Sequence, residues 1–127
     1  MKNLHRLAAL PFVLSLSACS ICGNNDAAIA TARSLSPERL ERLAADLSAF
    51  SSEKDRKIFD SRNGIPPAFS DLRPEAVMVG SSVTRVHLSG CADDKVLIIL
   101  KAQRGGKQQL VLLPGEAKDP VLLWRSR

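Results

Sequence analysis

Tyrosine is absent from this chain, and its aromatic residues are four Phe and one Trp. Nucleic-acid binders usually combine a concentrated basic stripe with stacking aromatics. Here 18 Lys and Arg are interleaved with 13 Asp and Glu for a formal charge of +5, so nucleic acid is not an expected partner. Long apolar runs are missing as well. A spanning helix needs roughly twenty apolar residues to cross about 30 Å of hydrocarbon, whereas "LAALPFVLSLSA" has twelve, interrupted by Pro11, Ser15 and Ser17. The later run "VLIIL" has five residues and the length of a strand. No transmembrane anchor is expected. Histidine and cysteine are also scarce, at two and three residues, which leaves few combinations for metal or thiol chemistry.

The start of the chain reads as an export signal. "MKNLHR" carries Lys2 and Arg6 with no acid, the apolar run follows, and Cys19 stands at its end. This is signal-peptide architecture. The four residues "LSAC" (Leu16, Ser17, Ala18, Cys19) resemble the lipobox of bacterial lipoprotein precursors. The resemblance implies cleavage before Cys19, diacylglycerol on its sulfur, and a further acyl chain such as palmitate on the new amino group. It also implies attachment to the membrane through that lipid, and Ser20 in place of Asp implies the outer membrane, facing the periplasm. Multiple acyl chains, at about 0.8 kcal/mol per buried methylene, make such an anchor effectively permanent. An ordinary secretory signal cut near Ala18 is the alternative.

Removal of residues 1–18 leaves 16 Lys and Arg against 13 Asp and Glu, a mildly basic +3. Residues 19–35 mix Gly, Asn, Asp, Ser and Ala with little periodicity, and are expected to form a flexible tether with weak helix near "DAAIATAR". Residues 36–127 are expected to be one small domain. At its start Ser36 can cap, Pro37 suits the first helical position, and Leu40, Leu43, Leu47 and Phe50 recur at helical spacing. The segment "SSEKDRKIFDSRNG" extends or restarts that helix, with a break near Ser51 and a stop at Asn63-Gly64. Pro66, Pro67 and Pro74 predict a stiff, extended crossing, pinned to the core by Ile65 and Phe69. From Glu75 onward short runs rich in Val, Ile and Leu alternate with turn residues. The expected fold is α+β, an N-terminal amphipathic helix packed on a small antiparallel sheet of four to five strands, with "VLIIL" central. The rest of the chain loosely resembles small proteobacterial lipoproteins with a helical start, a Pro-rich crossing and a β-rich end, a likeness that transfers no site.

With Cys19 given to lipid, Cys22 and Cys91 remain. Either they form a disulfide or Cys91 is a small residue at a strand end and Cys22 a free thiol. A zinc site drawing on His87, Cys91 and Cys22 lacks any recognised spacing, so no metal and no cofactor are expected. On a strand, His87 and Cys91 stand about 13 Å apart, too far to share a proton. A lone histidine opposite an apolar strand face is expected to face solvent. Asp93 and Asp94 in "GCADDK", and "RGGK" (Arg104 to Lys107), read as hairpin turns; the second lacks the features of a phosphate loop. Trp124 is expected to close the sheet; at a sheet edge, the backbone of its strand would be open to a partner strand. No catalytic residues are assigned. These readings favour a non-enzymatic binding or envelope-assembly module with a periplasmic protein as partner. The rivals are a small envelope hydrolase or thiol enzyme using Cys91 or His87, and an inhibitor of an exported enzyme.

Overall fold

The computed structural model describes residues 24–51, 57–80, 84–91 and 93–127. The "LSAC" stretch at residues 16–19, with Cys19, and Cys22 lie outside the described residues. Helix α1 (Asn25–Arg33) and helix α2 (Pro37–Ser51) precede a six-stranded sheet of β1 (Lys57–Asp60), β2 (Ala76–Val79), β3 (Thr84–Cys91), β4 (Asp94–Ala102), β5 (Gln108–Leu113) and β6 (Val121–Arg125). The spatial order is the sequence order, and each strand is antiparallel to the next. The architecture is α+β with helices packed on an antiparallel sheet, as the patterning suggests. Two helices stand where one was expected, and the sheet has six strands rather than four to five.

Each departure has a local cause. Helix α1 occupies residues expected to be tether. The Asn24 side chain accepts from the Ala27 amide at 3.1 Å, Asp26 lies in the first turn and Arg33 in the last, all favourable to the helix dipole. Its inner face is made of small residues: Ala32 is buried and Ala28 packs against the core beside Ile29. Alanine carries a weak hydrophobic signal but lets a helix lie close on a sheet. Strand β1 replaces the expected helical extension. Ile58 and Phe59 pair with Met78 and Val77 of β2, and Asp60 Oδ1 accepts from the amides of Arg62 and Asn63, closing a turn that ends at Gly64 with φ +83°.

Between β1 and β2 the proline-rich segment coils instead of extending. Residues Pro67–Leu72 form a 3-10 helix with Pro67 at its start, where the missing N–H is no loss. The coil carries Phe69, fully buried, and Leu72 into the core. Phe69 stacks at a tilt on Phe50 of α2, with 5.5 Å between ring centroids, and Phe50 meets Phe59 of β1 edge-on at the same distance.

Helix α2 follows its sequence signals. Ser36 Oγ accepts from the Arg39 amide at 3.1 Å, and Leu40, Leu43, Ala44 and Leu47 are buried on one stripe. They meet Val77 of β2, Val86 and Leu88 of β3, Val96, Ile98 and Leu100 of β4, and Leu110 and Leu112 of β5. Strand β4 lies inside the sheet, flanked by β3 and β5. Trp124 packs against this core from β6, partly exposed.

A charged clamp joins α2 to the 3-10 helix. The Arg39 guanidinium donates from Nε to Asp71 Oδ2 and from NH2 to Asp71 Oδ1, both at 2.7 Å, and from NH2 to the Ala68 carbonyl at 2.8 Å. The two-pronged hydrogen bond holds the Asp71 carboxyl below its ordinary 3.8 despite partial burial. A depressed carboxyl pKa adds stability that is complete above the ordinary value and disappears as the pH falls through the folded one. Asp71→Asn should therefore lower stability at neutral pH and flatten its decline below pH 3.8. Urea midpoints measured from neutral to strongly acid pH check this. Parallel curves for wild type and variant would show that the clamp adds no pH-dependent stability.

Candidate functional site

The end of the sheet that carries the β3–β4 hairpin is tied together by Asp94. Asn25 Nδ2 at the start of α1 donates to Asp94 Oδ2 at 3.1 Å and to its carbonyl at 3.3 Å. Asp94 Oδ1 accepts from the Glu116 amide of the β5–β6 loop at 3.0 Å. One turn carboxylate thus joins the start of α1, the hairpin and the loop after β5, more than a hairpin-tip aspartate ordinarily does. Gly90 makes the approach possible: its φ is +108°, and a Cβ there would lie 2.1 Å from the Asp94 carbonyl oxygen. Cys91, exposed beside this junction, is disulfide-bonded. The other two cysteines, Cys19 and Cys22, both precede the described residues.

His87 stands on the sheet face away from the helices and is not the solvent-facing residue expected, since its side chain is only 15% exposed. Its Nε2 lies 3.1 Å from the Ser89 carbonyl oxygen and 3.5 Å from Glu75 Oε2. Both neighbours are acceptors, so Nε2 carries the proton. That nitrogen is committed to holding a β-bulge, where the pairing shifts between His87 and Ser89. The bulge turns Leu88 and Ser89 both inward. Ser89 Oγ is buried without a hydrogen-bond partner, and the residue borders a cleft of about 510 Å³ with Asn24, Thr31 and Glu75. The serine is not hydrogen-bonded to the imidazole, so the pair is not arranged as nucleophile and base. Among the described residues no group of three or more His, Cys, Asp and Glu is placed to hold a metal ion, and no helix is long and apolar enough to cross a membrane.

The two ends of the sheet differ in charge. One end carries Asp26, Asp60, Glu75, Asp93, Asp94, Glu116 and Asp119 against Arg62, Arg73, Lys95 and Lys118. The opposite end carries Lys101 at the end of β4, Arg104 and Lys107 in the β4–β5 turn, and Arg125 and Arg127 at and beyond the end of β6, all exposed. "RGGK" is a hairpin turn, as its spacing suggests, with Arg104–Gly106 as a short 3-10 turn. At this end a groove of about 520 Å³ runs between α2 and β6, lined by Glu41, Ala44, Ala45, Trp124, Arg125 and Arg127 among others.

Sequence reasoning places Cys91 at a strand end, where it lies, and treats Asp94 as a turn residue without its bonds to Asn25 and Glu116. The groove beside β6 has no sequence motif. Its only signals are the two arginines after Trp124 and the alanines on α2. No protein-family model, no curated protein and no solved structure matches this chain.

Proposed function

We propose that this chain is an exported lipoprotein, anchored by lipid on Cys19 to the periplasmic face of the outer membrane, whose helix-on-sheet domain is a binding or assembly module rather than an enzyme. The observation that carries the reading is the order basic start, short apolar run, "LSAC" at residues 16–19. The thiol-enzyme rival needs a free Cys91 thiolate, and the sulfur of Cys91 is held in a disulfide. His87 Nε2 is likewise occupied by a carbonyl and a carboxylate.

The disulfide partner follows from the same reading. Thioether attachment of diacylglycerol consumes the Cys19 sulfur, so Cys91 is joined to Cys22. Asn25, three residues after Cys22, is hydrogen-bonded to Asp94, three residues after Cys91. Three extended residues span at most about 11 Å, so the bridge needs no rearrangement of α1. Only Ser20 and Ile21 then separate the lipidated residue from the stapled one. The domain is held against the bilayer by its acidic end, with its basic end directed outward.

Cys19→Ser tests the anchor. The substituted protein should lose acylation and fractionate away from the outer membrane, while wild type remains there through a high-salt wash. Outer-membrane fractionation of the substituted protein at unchanged mature mass would refute lipid attachment at this residue.

A further inference from the structure

We propose that the outer edge of β6 takes up an extended, acid-rich polypeptide segment as a seventh strand, which assigns a partner class to the binding module above and rests on that reading. A six-stranded sheet that does not close has two edges, and unpaired strand backbone is a template for another chain. Here the two edges are treated differently. On β1, the Ile58 carbonyl accepts from Asn63 Nδ2 at 2.7 Å and the Asp60 carbonyl from the Gly64 amide at 2.8 Å. The chain's own turn thus occupies acceptors at that edge.

No described residue does the same for β6. On its inner side Ser126 donates its amide to the Gln108 carbonyl at 2.9 Å. The alternation of an antiparallel ladder then turns the Arg125 amide and carbonyl outward, to the open edge. The usual protections of an edge are a bulge, a short strand and charge, and all are present: the pairing shifts between Leu110 and Val111, the strand has five residues, and Arg125 and Arg127 are cationic. They favour a partner that cancels the charge over uncharged strands and over aggregation.

The side-chain pattern of the partner follows from what borders the edge. An added strand sends alternate side chains to opposite faces. Toward the helices they meet the groove between α2 and β6, with Trp124 on one wall and the small Ala44 and Ala45 on the other. This is space for an apolar side chain, with Glu41 opposed in the same groove by Arg125 and Arg127. On the other face they meet Leu122, which is 47% exposed, and Arg125, which alternates with Trp124 along the strand and also borders the groove. The cations Lys101, Arg104 and Lys107 extend the positive field at that end. The segment that fits alternates apolar residues toward the groove with acidic residues toward Arg125. Arg forms two-pronged bonds with carboxylates and adds direction as well as charge.

Fluorescence anisotropy of a labelled ten-residue peptide alternating Val and Glu, titrated with the full chain, tests this. The Val/Glu peptide should bind saturably. A Val/Lys peptide, and a Val/Glu peptide N-methylated at alternate amides, should each bind at least about tenfold more weakly. Arg125→Glu with Arg127→Glu should lose affinity for Val/Glu by a similar factor and gain it for Val/Lys, at an unchanged thermal midpoint. If the paired variant unfolds earlier, Arg127→Glu alone must show the same reversal of preference. Absence of saturable Val/Glu binding, indifference to N-methylation, lack of charge preference, or a dimer of the free chain paired through β6 would overturn the proposal. Each of those results leaves the membrane fractionation of Cys19→Ser unaffected, so failure here is distinct from failure of the lipid anchor.

Discussion

Cys22→Ser and Cys91→Ser should each lower the stability of the domain by about 4 kcal/mol, and the double substitution should cost no more than either alone. The loop that a Cys22–Cys91 bridge closes contains close to seventy residues, nearly everything from the start of α1 to the end of β3. Cross-linking removes the freedom of that loop from the unfolded chain, and on the chain-entropy model the effect grows with loop length. Small domains bury a limited fraction of their surface, so a loss of this size is a large share of a total of about 5–15 kcal/mol. The single variants can also differ in a diagnostic way. Cys22→Ser leaves the Cys91 thiol reactive, and Cys91→Ser leaves Cys22 reactive, each to the extent of one alkylated site. Chemical unfolding of both variants and of unreduced and reduced wild type measures the effect. Equal stability of reduced and oxidised wild type would remove the staple from the energetics of the fold.

Phe69→Ala should cost about 3–5 kcal/mol, the usual range for deleting a buried aromatic ring. Phe69 is fully buried and touches Phe50 of α2, which in turn meets Phe59 of β1. Its loss empties the junction of α2, the 3-10 helix Pro67–Leu72 and β1. The Arg39–Asp71 clamp lies beside the same junction but is half in solvent, with the Asp71 side chain 52% exposed, so it cannot replace the ring. Urea unfolding should show a lower midpoint with a similar slope. A loss below about 1 kcal/mol would mean that this junction is not part of the cooperative core.

The parts of the fold that sequence reveals are those in which many side chains repeat one instruction. Leu40, Leu43 and Leu47 mark α2 by spacing, Ser36 marks its start, and the alternation of Val86 and Leu88 with Arg85 and His87 sets the faces of β3. Where the instruction depends on distant partners, it is not visible. Helix α1 buries alanines, whose fit on the sheet is good and whose hydrophobic signal is weak. Strand β1 has four residues, and its identity comes from the register against β2 rather than from its own pattern. The Pro67–Leu72 segment coils because Phe69 and Leu72 must both reach the core, which three prolines in the sequence do not disclose.

The candidate surfaces show the same division. Cysteine parity and the lipobox make the Cys22–Cys91 bridge a legible alternative, but the proximity that favours it comes from Asn25 reaching Asp94 across 69 residues. An edge position for the last strand is legible in "VLLWRSR" only in outline. The difference between the two edges depends on Asn63 folding back onto the Ile58 carbonyl, a local turn contact that the Asn63-Gly64 signal marks only as a stop. The alternation predicts His87 on the solvent side, and the bulge beside it, with its side chain largely buried near Ser89 and Glu75, is invisible in that alternation.

On the proposed reading, lipid on Cys19 and a Cys22–Cys91 disulfide would together determine which end of the domain faces the bilayer, and one measurement addresses both. The protein is extracted from membranes without reductant, and its intact mass is compared before and after reduction, with peptide mapping of the cysteines. The predicted result is a chain beginning at Cys19 with acyl chains on that residue, a gain of about two mass units on reduction, and a Cys22–Cys91 cross-linked peptide. An unmodified Cys19, or a cross-linked peptide joining Cys19 to Cys91, would contradict the lipid anchor and the orientation built on it.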